Sequence, residues 1–256
     1  MATFSERQKM KTNAKDGHTQ AIILVGGKGT RIRSKFPGIP KPLVPVNGTP
    51  FLELQVAWLC RQGCSRFHLA AGYKATLIDQ WASDYQERNQ GIVISTSTEP
   101  EPLGTAGGLK WIEDRISSDP FLLLNGDSLL PELDINALLA THAAGDAAAT
   151  LAVTHIEEAG RFGTVEFEDN TGLVTAFREK ASRESGWVNG GIYVMSRGIL
   201  AAIPENTKMS LEQDLFPDLI GDKRLYMHKT APPLLDMGTP DGLTAMSVYL
   251  ETHPVA

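Results

Sequence analysis

The chain has 256 residues, 42% of them hydrophobic, and a formal charge of −6, enough for one large core, or one core with a small attached lobe. Net acidity argues against a general nucleic-acid binder. No run of about 18 apolar residues occurs, and residues 1–20 are polar, so the expectation is a cytoplasmic protein with neither a membrane span nor a secretory leader.

Residues 1–19 mix Lys, Glu, Asn, Thr and Gln without period, which predicts a disordered or flexible tail and leaves 20–256 as one domain. Five apolar residues, Ala21 to Val25, then run into Gly26-Gly27-Lys28-Gly29-Thr30-Arg31. This reads as a buried parallel strand ending in a loop. Glycines let successive backbone N–H groups point into one concavity, and Lys28, Arg31, Arg33, Lys35 and Lys41 gather five cations around it. Such charges repel unless an anion sits among them, and phosphate is the simplest candidate. A glycine turn without a ligand also follows strands in many α/β proteins, so these residues alone leave that alternative open. Two phosphate templates fit poorly, because Gly29 leads into a proline-rich segment and no Gly-Lys-Ser/Thr closes the loop. Pro37, Pro40, Pro42 and Pro45 make 26–49 a long ordered loop.

Pattern and punctuation then predict helix over 50–62, strand 66–71, helix 73–86, strand 91–95, helix 105–116 and a wholly apolar strand 121–124 that ends at Asn125-Gly126-Asp127. A helix near 134–143 and a strand near 147–154 complete this half. The alternation means an α/β fold, a parallel sheet wrapped by helices on both faces, with ligands beyond the carboxyl ends of the strands. From about 155 the pattern changes to a hairpin, 163–168 and 173–178 around Asp169-Asn170-Thr171-Gly172, and a strand at 187–195. Helices near 196–202, 211–220 and 240–251 and short strands near 225–229 and 234–236 finish the chain. Cys60 and Cys64 are the only cysteines and read as buried free thiols, and the scattered histidines suggest no chemistry.

Asp127 stands at the ligand edge of the sheet, where it either serves a cation or caps the segment after it. Asp236 precedes Met237-Gly238-Thr239-Pro240, and Thr239 can cap the helix that Pro240 opens, so Asp236 is not needed there. Two carboxylates with phosphate oxygens and water suit Mg²⁺, which keeps several waters.

The glycine loop, Pro40-Lys41-Pro42, Glu101-Pro102-Leu103-Gly104-Thr105-Ala106-Gly107, Asn125-Gly126-Asp127, Glu179-Lys180, Asn189-Gly190-Gly191-Ile192-Tyr193 and Asp236-Met237-Gly238-Thr239-Pro240 occur in the order found in the sugar-1-phosphate nucleotidylyltransferases. The chain resembles that family from residue 21 to about 245. Arg161-Phe162-Gly163-Thr164-Val165 looks like the subgroup of heptose-1-phosphate and mannose-1-phosphate guanylyltransferases.

The resemblance implies a Rossmann-like, mostly parallel mixed sheet of the GT-A-like nucleotidyltransferase kind, with a nucleotide-binding half at about 20–154 and a small β-rich sugar-phosphate-binding half at about 155–256. It implies that Val25, Gly26, Gly27, Gly29, Thr30, Glu99, Gly104 and Thr105 bind the nucleotide. Arg31 and Lys41 would hold the triphosphate and stabilise charge building on the α-phosphate, while Asp127 and Asp236 carry Mg²⁺. Lys180 would clamp the incoming sugar 1-phosphate, and Gly163, Glu179, Asn189, Gly190 and Glu212 would line its pocket. The attacking phosphate oxygen is already an anion, so no general base is needed. Ala181 stands where the family often has proline after Glu-Lys, which leaves that loop freer.

Glu99 suggests GTP, because a carboxylate can accept from guanine N1–H and its 2-amino group, although uridylyl- and thymidylyltransferases carry similar loops. A glycosyltransferase would show Asp-x-Asp where Asn125 breaks the pattern, and an inactive sensor should have lost Arg31, Lys41 or a metal Asp. The expected partners are a nucleoside triphosphate and a sugar 1-phosphate, with no nucleic acid and no membrane, and a homodimer is left open.

Overall fold

The computed structural model describes residues 19–27, 29–32, 34–157, 159, 162–178 and 185–254. Residues 1–18 of the expected tail lie outside them. β1 (Ala21–Leu24) is the buried strand the apolar run demands, with Ala21, Ile22 and Ile23 fully covered. The proline-rich stretch behind it contains one 3₁₀ turn, Lys41–Leu43, and a tight hairpin of β2 (Pro45–Val46) and β3 (Thr49–Pro50). Its turn residues Asn47 and Gly48 both take positive φ, as a two-residue hairpin loop prefers.

Helix and strand then alternate through α1 (Phe51–Arg61), β4 (Arg66–Ala71), α2 (Ala75–Arg88), β5 (Val93–Thr98) and α3 (Gly104–Trp111). β5 starts later than expected because Gly91, at φ +87°, belongs to the turn. Beyond α3 the chain tightens into a 3₁₀ turn at Glu113–Arg115 and enters β6 (Phe121–Asn125) and β7 (Ser128–Leu129). Asp134 caps α4 (Ile135–Ala144) by accepting from the Asn136 and Ala137 amides. β8 (Ala149–Ile156), the hairpin of β9 (Thr164–Phe167) and β10 (Val174–Arg178), and the ten-residue β11 (Gly186–Met195) follow.

The segment expected as helix at 196–202 is a 3₁₀ helix, Arg197–Ala202. That at 211–220 opens as a π-turn, Leu211–Leu215, before α5 (Phe216–Gly221). Pro217 explains the widening, since its ring would strike the carbonyl four residues back in a regular helix. β12 (Leu225–Thr230), β13 (Leu235–Asp236) and α6 (Pro240–Thr252) end the chain.

Nine of these strands form one sheet, while β2–β3 and β7–β13 stand as separate pairs. Its main path is β10-β9-β11-β6-β1-β4-β5, with β8 on the other side of β11 and β12 beyond β8. β6, β1, β4 and β5 run parallel, whereas β11 runs antiparallel to β6, β8 and β9. The β-rich part is thus continuous with the main sheet. Strand alternation sends Ile23, Leu122, Leu124, Ile192 and Val194 into one core and Ile22, Phe121, Leu123, Tyr193 and Met195 into another, one on each face. Cys64 is buried and Cys60 half-buried, both unbonded, and burial pushes their thiols up to about 12 and about 11. No helix among the described residues is long and apolar enough to cross a membrane.

Candidate active site

Parallel strands deliver their carboxyl ends to one edge, and three of those ends converge here: Gly26-Gly27 after β1, Glu99 after β5 and Gly126-Asp127 after β6. They line a cleft of about 610 Å³ together with Val25, Lys41, Gly104 and Thr105. Backbone spacing explains two of the glycines expected at the nucleotide site. Gly29 has φ +56°, and a Cβ there would stand 2.8 Å from the Cβ of Lys41, so the glycine lets the lysine stem pass. Gly104 has φ +76°, and its Cβ would stand 2.5 Å from the Met209 carbonyl oxygen. Gly27 differs, because a Cβ there would meet nothing within 4 Å. Packing inside the protein does not require that glycine; room beside its backbone does.

Glu99 extends the β4–β5 ladder by donating its amide to the Ala71 carbonyl, and its Oε2 accepts from the Leu103 amide at 3.2 Å. Burial raises its pKa, and the Leu103 bond pulls the other way. Among the wall residues that were not picked out from the sequence are Trp111 and Lys208. Trp111 closes the far wall at 46% exposure. Its signal was available, since Gly104, Gly108 and Trp111 fall on one face of α3 at helical spacing. Lys208 also lines the cleft, but from a loop placed only by tertiary bonds: the Ala106 and Gly107 amides donate to Met209 O, and the Met209 amide to Leu103 O.

Lys41 Nζ donates to Asp127 Oδ2 at 2.5 Å, with 13% of the lysine side chain exposed and 35% of the aspartate's, and Ser128 Oγ donates to Asp127 Oδ1 at 3.1 Å. A strand follows Asp127, so the capping alternative falls away. β7 pairs antiparallel with β13, with Asp236 opposite Ser128, and the Met237 amide donates to the Asp127 carbonyl at 3.0 Å. This ribbon brings together two acids that are 109 positions apart in the chain (236 − 127). Thr239 caps α6 by accepting from the Gly242 amide, while Asp236 Oδ1 accepts from the Gly238 amide at 2.6 Å. Among the described residues no three His, Cys, Asp or Glu side chains form a protein metal cage. Asp127 and Asp236 are neighbours along the backbone of this ribbon, and carboxylate oxygens are the donor type that suits a hard ion completed by phosphate and water. Asp236 and Gly29 are not among the cleft walls, nor are Thr30 and Arg31, which are both exposed. No hydrogen bond or ion pair holds Arg31 among the described residues. Lys28 and Arg33 of the cation cluster lie outside them.

A second cleft, of about 870 Å³, opens between the β9–β10 hairpin, β11 and the π-turn, and is lined by Phe162, Gly163, Phe177, Asn189, Ser210 and Glu212 among others. Glu179, Lys180 and Arg161 lie outside the described residues. Gly190, expected in the wall, is not there. It is buried in the sheet, where a Cβ would stand 2.3 Å from Leu130 Cδ1, so close packing explains this glycine. β11 breaks register at this point, between Asn189 and Tyr193. Thr105 lines the first cleft and also reaches the second: its hydroxyl accepts from the Leu211 amide at 2.8 Å and donates to Glu212 Oε2 at 3.4 Å, so it ties the two together. Ser210 Oγ donates to the same Glu212 oxygen at 3.0 Å. Among the described residues no histidine lines either cleft. His68 and His142 are buried, and desolvation pushes both rings down to about 4.

A mostly parallel sheet with a glycine-lined, lysine-bearing cleft at its carboxyl edge, two carboxylates on the ribbon beside it and a second cleft alongside defines an enzyme that handles phosphorylated substrates. The chain belongs to the nucleotidyl transferase family, whose model matches residues 20–253. It is 35% identical over 222 residues to the D-glycero-alpha-D-manno-heptose 1-phosphate guanylyltransferase of Aneurinibacillus thermoaerophilus, covering 87% of this chain and 94% of that one. It is also 35% identical over 237 residues to the mannose-1-phosphate guanylyltransferase catalytic subunit beta of Dictyostelium discoideum, and there it spans 91% of its own length and 65% of the relative's. The crystal structure of HddC from Yersinia pseudotuberculosis superposes with a TM-score of 0.78 at 27% identity, covering 91% of this chain and 99% of that one. HddC has also been solved in complex with GMP-PN.

Proposed function

We propose that this chain transfers a nucleoside monophosphate, from GTP by preference, to a sugar 1-phosphate of heptose or mannose type and releases pyrophosphate. The observation that carries the reading is the single cleft lined by the Lys41–Asp127 ion pair and by Glu99, joined through Thr105 to a second cleft. The printed activities of the heptose and mannose relatives support the substrate class.

In this reading the glycine loop takes the triphosphate, with Lys41 and Arg31 as its cations. Glu99 accepts from the guanine edge. Asn189 and Glu212 hold sugar hydroxyls, and Lys180 clamps the sugar phosphate. That phosphate oxygen attacks the α-phosphorus in line with the departing pyrophosphate, and the chain's task is alignment and charge stabilisation. Asp127 and Asp236 would hold Mg²⁺, which supplies Lewis-acid stabilisation of phosphate charge when bound. The compartment that fits is the cytoplasm.

The test is a grid of nucleoside triphosphates against sugar 1-phosphates with Mg²⁺, followed by pyrophosphate release and mass spectrometry of the nucleotide-sugar. GTP with a mannose- or heptose-type 1-phosphate should give the fastest release. Failure of every pair would reject the reading.

A further inference from the structure

Tyr193 lies on β11 with no exposed surface, its ring tilted against Phe216 at 5.5 Å between centroids. It looks like one more core aromatic. A buried phenol must place its hydroxyl, however, and both of its hydrogen bonds go to walls of the second cleft. The hydroxyl donates to Glu212 Oε1 at 3.1 Å and accepts from Asn189 Nδ2 at 2.8 Å. Burial, and then the adjacent Glu212 carboxylate, push the Tyr193 pKa well above its ordinary value, so the phenol stays a donor.

The two polar walls come from different elements. Asn189 precedes the register break of β11, and its Oδ1 is fixed by the Gly191 amide at 3.0 Å. Glu212 is carried by the π-turn, and Ser210 and Thr105 fix its other oxygen. Tyr193 is hydrogen-bonded to both. We propose that Tyr193 is a positioning residue for the second substrate: its one hydroxyl fixes the distance and orientation between the Asn189 amide and the Glu212 carboxylate. This leaves one Asn189 N–H and the spare lone pairs of Glu212 for the ligand, a donor beside a charged acceptor. That pairing suits adjacent hydroxyls of a sugar ring. The inference rests on the reading that the second cleft takes the sugar 1-phosphate.

Tyr193→Phe keeps the ring and removes the hydroxyl. With GTP and the best sugar 1-phosphate from the grid above, the sugar-phosphate KM should rise about tenfold, while the GTP KM stays within about twofold. A purely structural tyrosine would lower the melting temperature without separating the two KM values. Asn189→Ala, made in both backgrounds, supplies the second measurement: its effect on the sugar KM should be smaller in Tyr193→Phe than in wild type, because the pair acts as a unit. Unchanged KM values, an equal rise in both, or full additivity would overturn the proposal. If Tyr193→Phe does not fold, the Asn189→Ala single variant decides: a selective rise in the sugar KM supports the proposal, and none overturns it. Wild-type protein inactive with every sugar 1-phosphate would remove the functional reading and this inference together, before any variant is made.

Discussion

Replacing Glu99 with glutamine should move stability and activity in opposite directions. The carboxylate is half-buried, and its pKa is raised chiefly by desolvation. A carboxyl group whose folded pKa lies above its unfolded value binds its proton more tightly in the native state. The charge therefore costs stability, and that cost is complete once the pH exceeds both values. Glutamine has the same shape, can still accept from the Leu103 amide, and carries no charge to desolvate. Glu99→Gln should melt at the same temperature as wild type or higher. Catalysis should go the other way, since one of two charge-assisted acceptors for guanine becomes an NH₂ facing another donor. Hydrogen bonds to charged groups contribute roughly 1–3 kcal/mol, or about 5- to 150-fold in kcat/KM for GTP. Uracil gains nothing from the carboxylate, so UTP turnover should hold or improve. Pyrophosphate release with each nucleotide, beside thermal melts, measures both arms. Equal loss with GTP and UTP, a wild-type preference for UTP, or a clear drop in melting temperature would refute the reasoning.

Asp127→Asn and Asp236→Asn should each abolish Mg²⁺-dependent turnover with far-ultraviolet circular dichroism unchanged, and near-normal activity would remove that residue from the metal pair. Lys41→Ala should depress kcat, whereas Lys180→Ala should chiefly raise the sugar-phosphate KM; an unchanged KM in the latter would dismiss the clamp. In Gly29→Ala the added Cβ meets the Lys41 stem at 2.8 Å and φ stays positive. This should cost about 1 kcal/mol of stability and roughly 10- to 100-fold in kcat through displaced Lys41, and wild-type kcat would show that the lysine stem yields freely. His68 and His142 titrate near 4 when folded against 6.5 as free rings. Their stability contribution is whole above the unfolded value and is lost as pH falls toward the folded one, by at most roughly 3 kcal/mol per ring. A melting temperature flat between about pH 7.5 and about pH 4.5 would contradict that linkage.

Local pattern alone sufficed for β1 and β6, since unbroken apolar runs flanked by glycine or proline have few other uses. The same holds for the hairpin around Asp169-Asn170-Thr171-Gly172 and for the placing of Gly26-Gly27 and Asp127 at strand ends, because parallel strands present their carboxyl ends together. What the chain could not announce were relations between distant segments. Nothing near Asp236 says that it pairs across from Ser128, because antiparallel register is fixed only once both strands exist. Gly190 and Gly27 look alike in sequence, yet one is pressed against Leu130 and the other faces open space, a difference made by neighbours far along the chain. In the sequence Tyr193 is the last residue of the Asn189-Gly190-Gly191-Ile192-Tyr193 motif, and nothing near it names a partner for its hydroxyl. Only the fold, by carrying the π-turn to β11, brought Glu212 to its hydroxyl.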